Sequence, residues 1–229
     1  MNGLYLEQDE IIQIIISVIA ISVAFTIVFA GLEGLVNSPK EFAVFTLLSL
    51  VTVGSGFILH EMSHKLVAIY YGARARFVMW TQGLVLMLIT SLMGVLFAAP
   101  GAVYIFSNRI TRQQNGLISV AGPITNLVLV GVFMVLAIMS PIVFHLSFIP
   151  GPLNVWAFGA KINLILALFN MIPAFPLDGS KVFGWSRLVW VLLIAILLGL
   201  GWVLVSPFII ISWGMLLLIA LVFSKLAFG

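Results

Sequence analysis

The sequence predicts an all-α polytopic membrane protein of six transmembrane helices with a small re-entrant β element on the cytoplasmic side. Three observations carry that prediction. Only 7% of the 229 residues are charged while 63% are hydrophobic, against roughly 25% charged in a soluble domain, too few to cover a water-facing surface. Apolar runs near twenty residues recur along the chain, the length needed to cross about 30 Å of hydrocarbon. The basic residues gather at one side of those runs, as cytoplasmic flanks require. Nucleic-acid binding, extracellular scaffolding and disorder are excluded by the same composition. The chain has no Cys, which removes disulfides, thiolate metal sites and Cys nucleophiles.

The elements follow in order. Met1–Glu10 is acidic where a signal peptide is basic, so the first run, 11–35, is expected to be a retained span. Asn37-Ser38-Pro39-Lys40-Glu41 is a turn, with Pro39 suited to open the next helix. The second span covers 42–71, the third 117–141 and the fourth 154–172, after the break at Pro150-Gly151-Pro152. Two more, 188–205 and 208–223, are parted by Ser206-Pro207. Gly83–Phe106 is apolar but interrupted at Gly94 and at Ala98-Ala99-Pro100-Gly101. Lys65, Arg74 and Arg76 precede it and Arg109 and Arg112 follow, so 73–106 is expected to enter and leave by one face. Both termini are then cytoplasmic, and every basic residue but Lys40 and Lys161 falls on that side. A seventh span would scatter them. The flanks of the re-entrant piece, Ala73–Trp80 and Ala102–Phe106, read as candidate strands. The whole chain is expected to form one membrane domain, multi-pass in the cell membrane.

Deep in the second span lies His60-Glu61-Met62-Ser63-His64. Positions 60 and 64 sit one helical turn apart on one face, so two imidazoles can converge on one ion. Glu61 lies beside them, suited to take a proton from a water activated by Zn²⁺. Ionisable groups at that depth cost about 2.5–3.5 kcal/mol or more, which marks such a cluster as functional. A catalytic zinc usually takes three protein ligands. His145 falls in an extracytoplasmic connection, and Glu7, Asp9, Glu10, Glu33 and Glu41 lie near span ends, where water is at hand. Asp178 differs: Pro173 and Pro176 stop the fourth span's helix near Asn170, and the unwound stretch could turn Asp178 toward the imidazoles. An Asp-Gly surface loop is the plain alternative, and the need for a third ligand favours the inward one.

These residues carry a resemblance. His60-Glu61-Met62-Ser63-His64, Asn170-Met171-Ile172-Pro173-Ala174-Phe175-Pro176-Leu177-Asp178-Gly179 and Gly122-Pro123-Ile124-Thr125-Asn126 together resemble the site-2 protease family of intramembrane zinc metalloproteases. The form resembled is compact, without the PDZ or cystathionine-synthase-type domain that some members carry. The resemblance implies one zinc held by His60, His64 and Asp178, Glu61 as catalytic base and Asn170 near the scissile carbonyl. It implies that Gly122 and Asn126 line the site less directly. The expected substrate is a transmembrane protein, unwound and held at a strand edge, within the lipid bilayer. A metal transporter or metal sensor using the same His pair is the alternative; it would need a polar conduit, for which the spans offer little beyond Lys161, Gln82 and some Ser and Thr.

Overall fold

A computed structural model describes residues 6–96, 100–107 and 109–228, with side chains beyond 219 described only at 222. Helix α1 runs Gln8–Asn37, with Asp9 and Glu10 in its first turn and a break at Gly31, whose φ of 63° suits a residue without Cβ. Pro39 occupies the first turn of α2 (Pro39–Ser49), which continues through a π-helical turn (Leu50–Gly54) into α3 (Ser55–Tyr70). Strand β1 (Arg74–Met79), helix α4 (Thr81–Leu92) and strand β2 (Gly101–Phe106) form the next unit. Helix α5 (Arg112–Met139) opens with a capping box between Thr111 and Gln114. A two-residue ladder pairs β3 (Val143–Phe144) with β4 (Leu153–Asn154) before α6 (Val155–Asn170), whose first amides are taken by the Asn154 side chain. Helices α7 (Asp178–Trp185), α8 (Arg187–Leu204) and α9 (Ile209–Phe228) complete the described chain.

Among the described residues, four helices are long and apolar enough to cross a membrane: Gln8–Asn37, Pro39–Tyr70, Arg112–Met139 and Arg187–Leu204. Of the other two expected spans, Val155–Asn170 is shorter, and α9 is an apolar helix of 20 residues whose side chains are described without interruption only over Ile209–Ile219. For α6 the reason is visible. Asn154 caps its start, Pro173 lies just past its end, and it packs centrally against α5, α8 and the π turn. Leu164 and Ala167 have no exposure, so α6 meets neighbouring helices rather than a bilayer's full depth.

The two candidate strand segments pair with each other, antiparallel from Arg74↔Phe106 to Met79↔Gly101. The ends of the intervening segment are therefore brought together. The twelve residues of α4 account for what a plain hairpin would not need, and at about 18 Å they fall short of a bilayer. The expected interruption at Ala98 and Ala99 lies outside the described residues. Leu84 and Met87 seat α4 in a cluster with Ile21, Ala24 and Phe25 of α1.

Helix α1 also takes up the outer edge of the sheet. Phe77 N–H donates to Glu10 Oε1 at 2.9 Å and Met79 N–H to Gln13 Oε1 at 2.9 Å. Glu10 also receives Lys65 Nζ of α3 at 2.6 Å on each oxygen. The sequence reading put Glu10 at a wet span end; it is 1% exposed, and Lys65 2%. Burial is tolerable because the pair is bidentate and the carboxylate accepts an amide as well. This junction ties α1, α3 and β1 together, and both strands lie against α3.

Candidate metal centre

The site is built by α3, α5 and α7, with β2 across its side. On α3, His60 and His64 face the same way, as i and i+4 positions must. Their Nε2 atoms lie 3.0 Å apart. Each Nδ1 is engaged behind: His60 Nδ1–H donates to Asn126 Oδ1 at 2.6 Å, and His64 Nδ1–H donates to the Ile118 carbonyl at 2.8 Å. Both acceptors belong to α5, where Pro123 interrupts the amide ladder.

Asp178 enters from the other side at the first turn of α7, after the Pro-interrupted stretch that follows Asn170. Its Oδ2 lies 3.2 Å from His60 Nε2 and 3.0 Å from His64 Nε2. Lys181 Nζ adds a weak contact at 3.7 Å to Oδ1. Gly179 is required beside it, since a Cβ there would collide with the Met171 carbonyl. All three side chains are buried, between 4% and 7% exposed.

With both Nδ1–H groups donating backwards, two lone-pair nitrogens and one carboxylate oxygen face a common point. The three atoms form a triangle with edges of 3.0, 3.2 and 3.0 Å. Tetrahedral zinc with bonds of about 2.0–2.1 Å separates its ligands by about 3.3 Å, so the donor set fits that ion in type and spacing. His60, Glu61 and His64 also form a buried group within metal-binding reach of one another. Glu61 Oε2 accepts from Val103 N–H of β2 at 2.8 Å.

Gly122 lies against the imidazoles themselves. A Cβ built on it would come within 2.5 Å of His60 Nε2 and of His64 Nε2. The sequence reading gave Gly122 and Asn126 less direct places; one touches both imidazoles and the other bonds His60. Asn170 stands differently, its Nδ2 donating to the Leu166 carbonyl of its own helix at 3.1 Å.

Three contributors were not read from the sequence. Asn163 is fully buried and bonds Asn126; an Asn inside an apolar run was the available signal. Trp190 Nε1 donates to the Met171 carbonyl at 2.8 Å and Trp213 Nε1 to the Leu168 carbonyl at 2.9 Å, so α8 and α9 hold the end of α6. Their spacing carried no signal, and tryptophans in membrane proteins commonly anchor at the interface.

Comparison with known proteins adds an independent line. The chain is 42% identical over 186 residues to a Methanocaldococcus jannaschii protein named "Putative zinc metalloprotease MJ0611", covering 80% of this chain and 87% of that one. A second protein of that organism, "Zinc metalloprotease MJ0392", is 28% identical over 160 residues, 70% of this chain and 39% of its own length. "Putative zinc metalloprotease YwhC" of Bacillus subtilis is 28% identical over 147 residues, 58% of this chain and 66% of its own length. No protein-family model matches the chain. No solved structure matches it either.

Proposed function

We propose that this chain, which belongs to the zinc metalloprotease family of that archaeal relative and takes zinc as its metal, is an intramembrane protease of the site-2 type. It hydrolyses a peptide bond in or near a transmembrane segment of a substrate protein. The observation that carries this reading is the convergence of His60, His64 and Asp178 beside Glu61 within an apolar helical bundle. The relatives' names speak for proteolysis over the metal transporter or sensor alternative.

His60 and His64 would hold the metal through Nε2, and Asp178 would complete the set. Zinc, when bound, polarises a peptide carbonyl and lowers the pKa of water from 15.7 toward about 7. Glu61 takes the proton of the attacking water and passes it to the leaving amine. Its bond to Val103 N–H keeps one oxygen fixed while it does so. Asn170 donates to the carbonyl oxygen as negative charge develops there, after releasing its bond to Leu166.

A helical substrate hides its carbonyls in i→i−4 bonds and must unwind to be cut. In β2, the Val103 amide points away from β1, because its ladder partner Phe77 likewise donates outward, to Glu10. The outward edge of β2 thus runs beside Glu61 and offers main-chain groups to an extended segment. The substrate is a membrane protein, the chain is multi-pass with both termini cytoplasmic, and the whole sequence is one catalytic domain.

The test is cleavage of a transmembrane model peptide by purified protein in detergent. Glu61→Gln is expected to retain zinc and lose about 10²–10⁴-fold in rate. Undiminished turnover by that variant, or by protein stripped of metal with a chelator, rejects the reading.

A further inference from the structure

We propose that Asn163 is a positioning residue of the metal centre, acting through Asn126 to fix the tautomer and orientation of His60. The inference rests on the reading of His60 as a metal ligand.

Asn163 lies on α6 with no exposed surface and is the far member of a buried chain of amides. Its Nδ2 donates to the Gly159 carbonyl at 2.9 Å and to the Thr52 carbonyl at 3.3 Å. Carbonyls only accept, so these two contacts leave Asn163 one orientation, with Oδ1 turned toward Asn126. That oxygen accepts from Asn126 Nδ2 at 2.8 Å. A longer contact, 3.4 Å, joins Asn126 Nδ2 to the Gly56 carbonyl. The Asn126 amide is thereby also polarised, and its Oδ1 is the atom left to meet His60 Nδ1, 2.6 Å away. An acceptor there demands N–H at Nδ1, which makes Nε2 the lone-pair nitrogen. Two backbone carbonyls remote from the ion thus decide which nitrogen of His60 can bind it.

The surroundings are shaped to this amide. A Cβ on Gly56 would collide with the Asn163 carboxamide, so the glycine one turn before His60 is where the amide sits. Thr52 belongs to the π-helical turn, where the wider coil departs from the regular ladder; such turns recur at functional sites. Outer partners of this kind typically govern metal affinity by about 10–100-fold.

The experiment measures zinc affinity of the purified full chain by competition with a fluorescent chelator. Asn163→Leu and Asn163→Ala are each expected to weaken zinc binding by about 10–100-fold. Leu164→Ala, a substitution at the neighbouring buried position, tests for mere loss of stability and is expected to leave zinc affinity unchanged. Asn126→Ala should weaken binding comparably, and adding Asn163→Leu to it should weaken binding little further, because both act through one contact. In metal-free protein, ¹⁵N-histidine spectra of a chain with three His should show Nδ1–H at His60 in the parent and a mixture of tautomers in Asn163→Ala. Parent-like affinity and tautomer in both Asn163 variants, with affinity lost in His60→Ala, overturns the proposal alone. Parent-like affinity in His60→Ala overturns the ligand reading beneath it.

Discussion

Gly122 and His60 stand in direct apposition: a Cβ on the glycine would lie 2.5 Å from both Cε1 and Nε2 of the imidazole. The same added carbon would press on His64 Nε2. Gly122 therefore does more than let α5 approach α3; its missing side chain is the space in which the two Nε2 atoms meet. Gly122→Ala is expected to cost about 1–3 kcal/mol of overpacking strain in the metal-ready arrangement. Expressed in zinc affinity, that is a loss of roughly 5- to 150-fold. Chelator competition measures it, and an unchanged dissociation constant would show that the imidazoles relax freely.

The Glu10–Lys65 pair gives a prediction about stability. Removing the carboxylate takes away the counter-charge held 2.6 Å from the buried Lys65 ammonium, and breaking a buried pair in this way typically costs about 3–5 kcal/mol. Glu10→Ala also orphans the Phe77 amide, and so loosens β1 as well as α3. Thermal unfolding in detergent should show a large drop for Glu10→Ala and a smaller one for the double variant Glu10→Leu/Lys65→Met, which removes both charges. Equal drops would mean that the pair's loss is not a charge effect.

How far the sequence could be read depended on whether a signal was local. His60, Glu61 and His64 announce themselves because i and i+4 share a helix face whatever the fold. Asp178 was legible because Pro173 and Pro176 end a helix just before it. The strands flanking α4 were visible as segments, but their partnership, Arg74 with Phe106, is a long-range pairing that short apolar runs do not specify. Glu10 was misjudged for the same reason. Its place in the sequence is a span end, and only the fold brings Lys65 and the Phe77 amide to it. Four expected spans met a helix of crossing length, whereas α6 is shortened by its caps and by its central place among other helices.

The indoles of α8 and α9 predict coupling between the last helices and the Asp178 turn. Trp190 donates to the Met171 carbonyl, the same carbonyl against which Gly179 is pressed. Trp190→Phe keeps a ring in place and removes the donor, a change worth about 0.5–1.5 kcal/mol for a neutral hydrogen bond. If that bond steadies the turn, zinc should dissociate several-fold faster from Trp190→Phe, measured by stopped-flow chelation. Trp213→Phe, which frees the Leu168 carbonyl one turn earlier, should do so more weakly. Identical off-rates in all three proteins would uncouple α8 and α9 from the metal turn.

The bond between Val103 and Glu61 separates positioning of the base from binding of the metal. Val103 N–H points away from β1, so replacing it with proline removes the donor to Glu61 while leaving the β1–β2 hydrogen bonds in place. An amide bonded to a carboxylate is worth about 1.5–3 kcal/mol, or roughly 10- to 150-fold if it acts wholly on the proton-transfer step. Val103→Pro is accordingly expected to lower kcat within that range and to leave zinc content at the parent value. Its main-chain donor would also be lost to a substrate strand laid along the same edge, which would appear in KM. A variant that loses zinc together with activity would mean that β2 supports the metal centre as a whole. A fall in kcat alone would assign the amide to Glu61, because an extended substrate can still use the neighbouring outward groups of β2, while among the described residues Val103 N–H is the one backbone donor to the base.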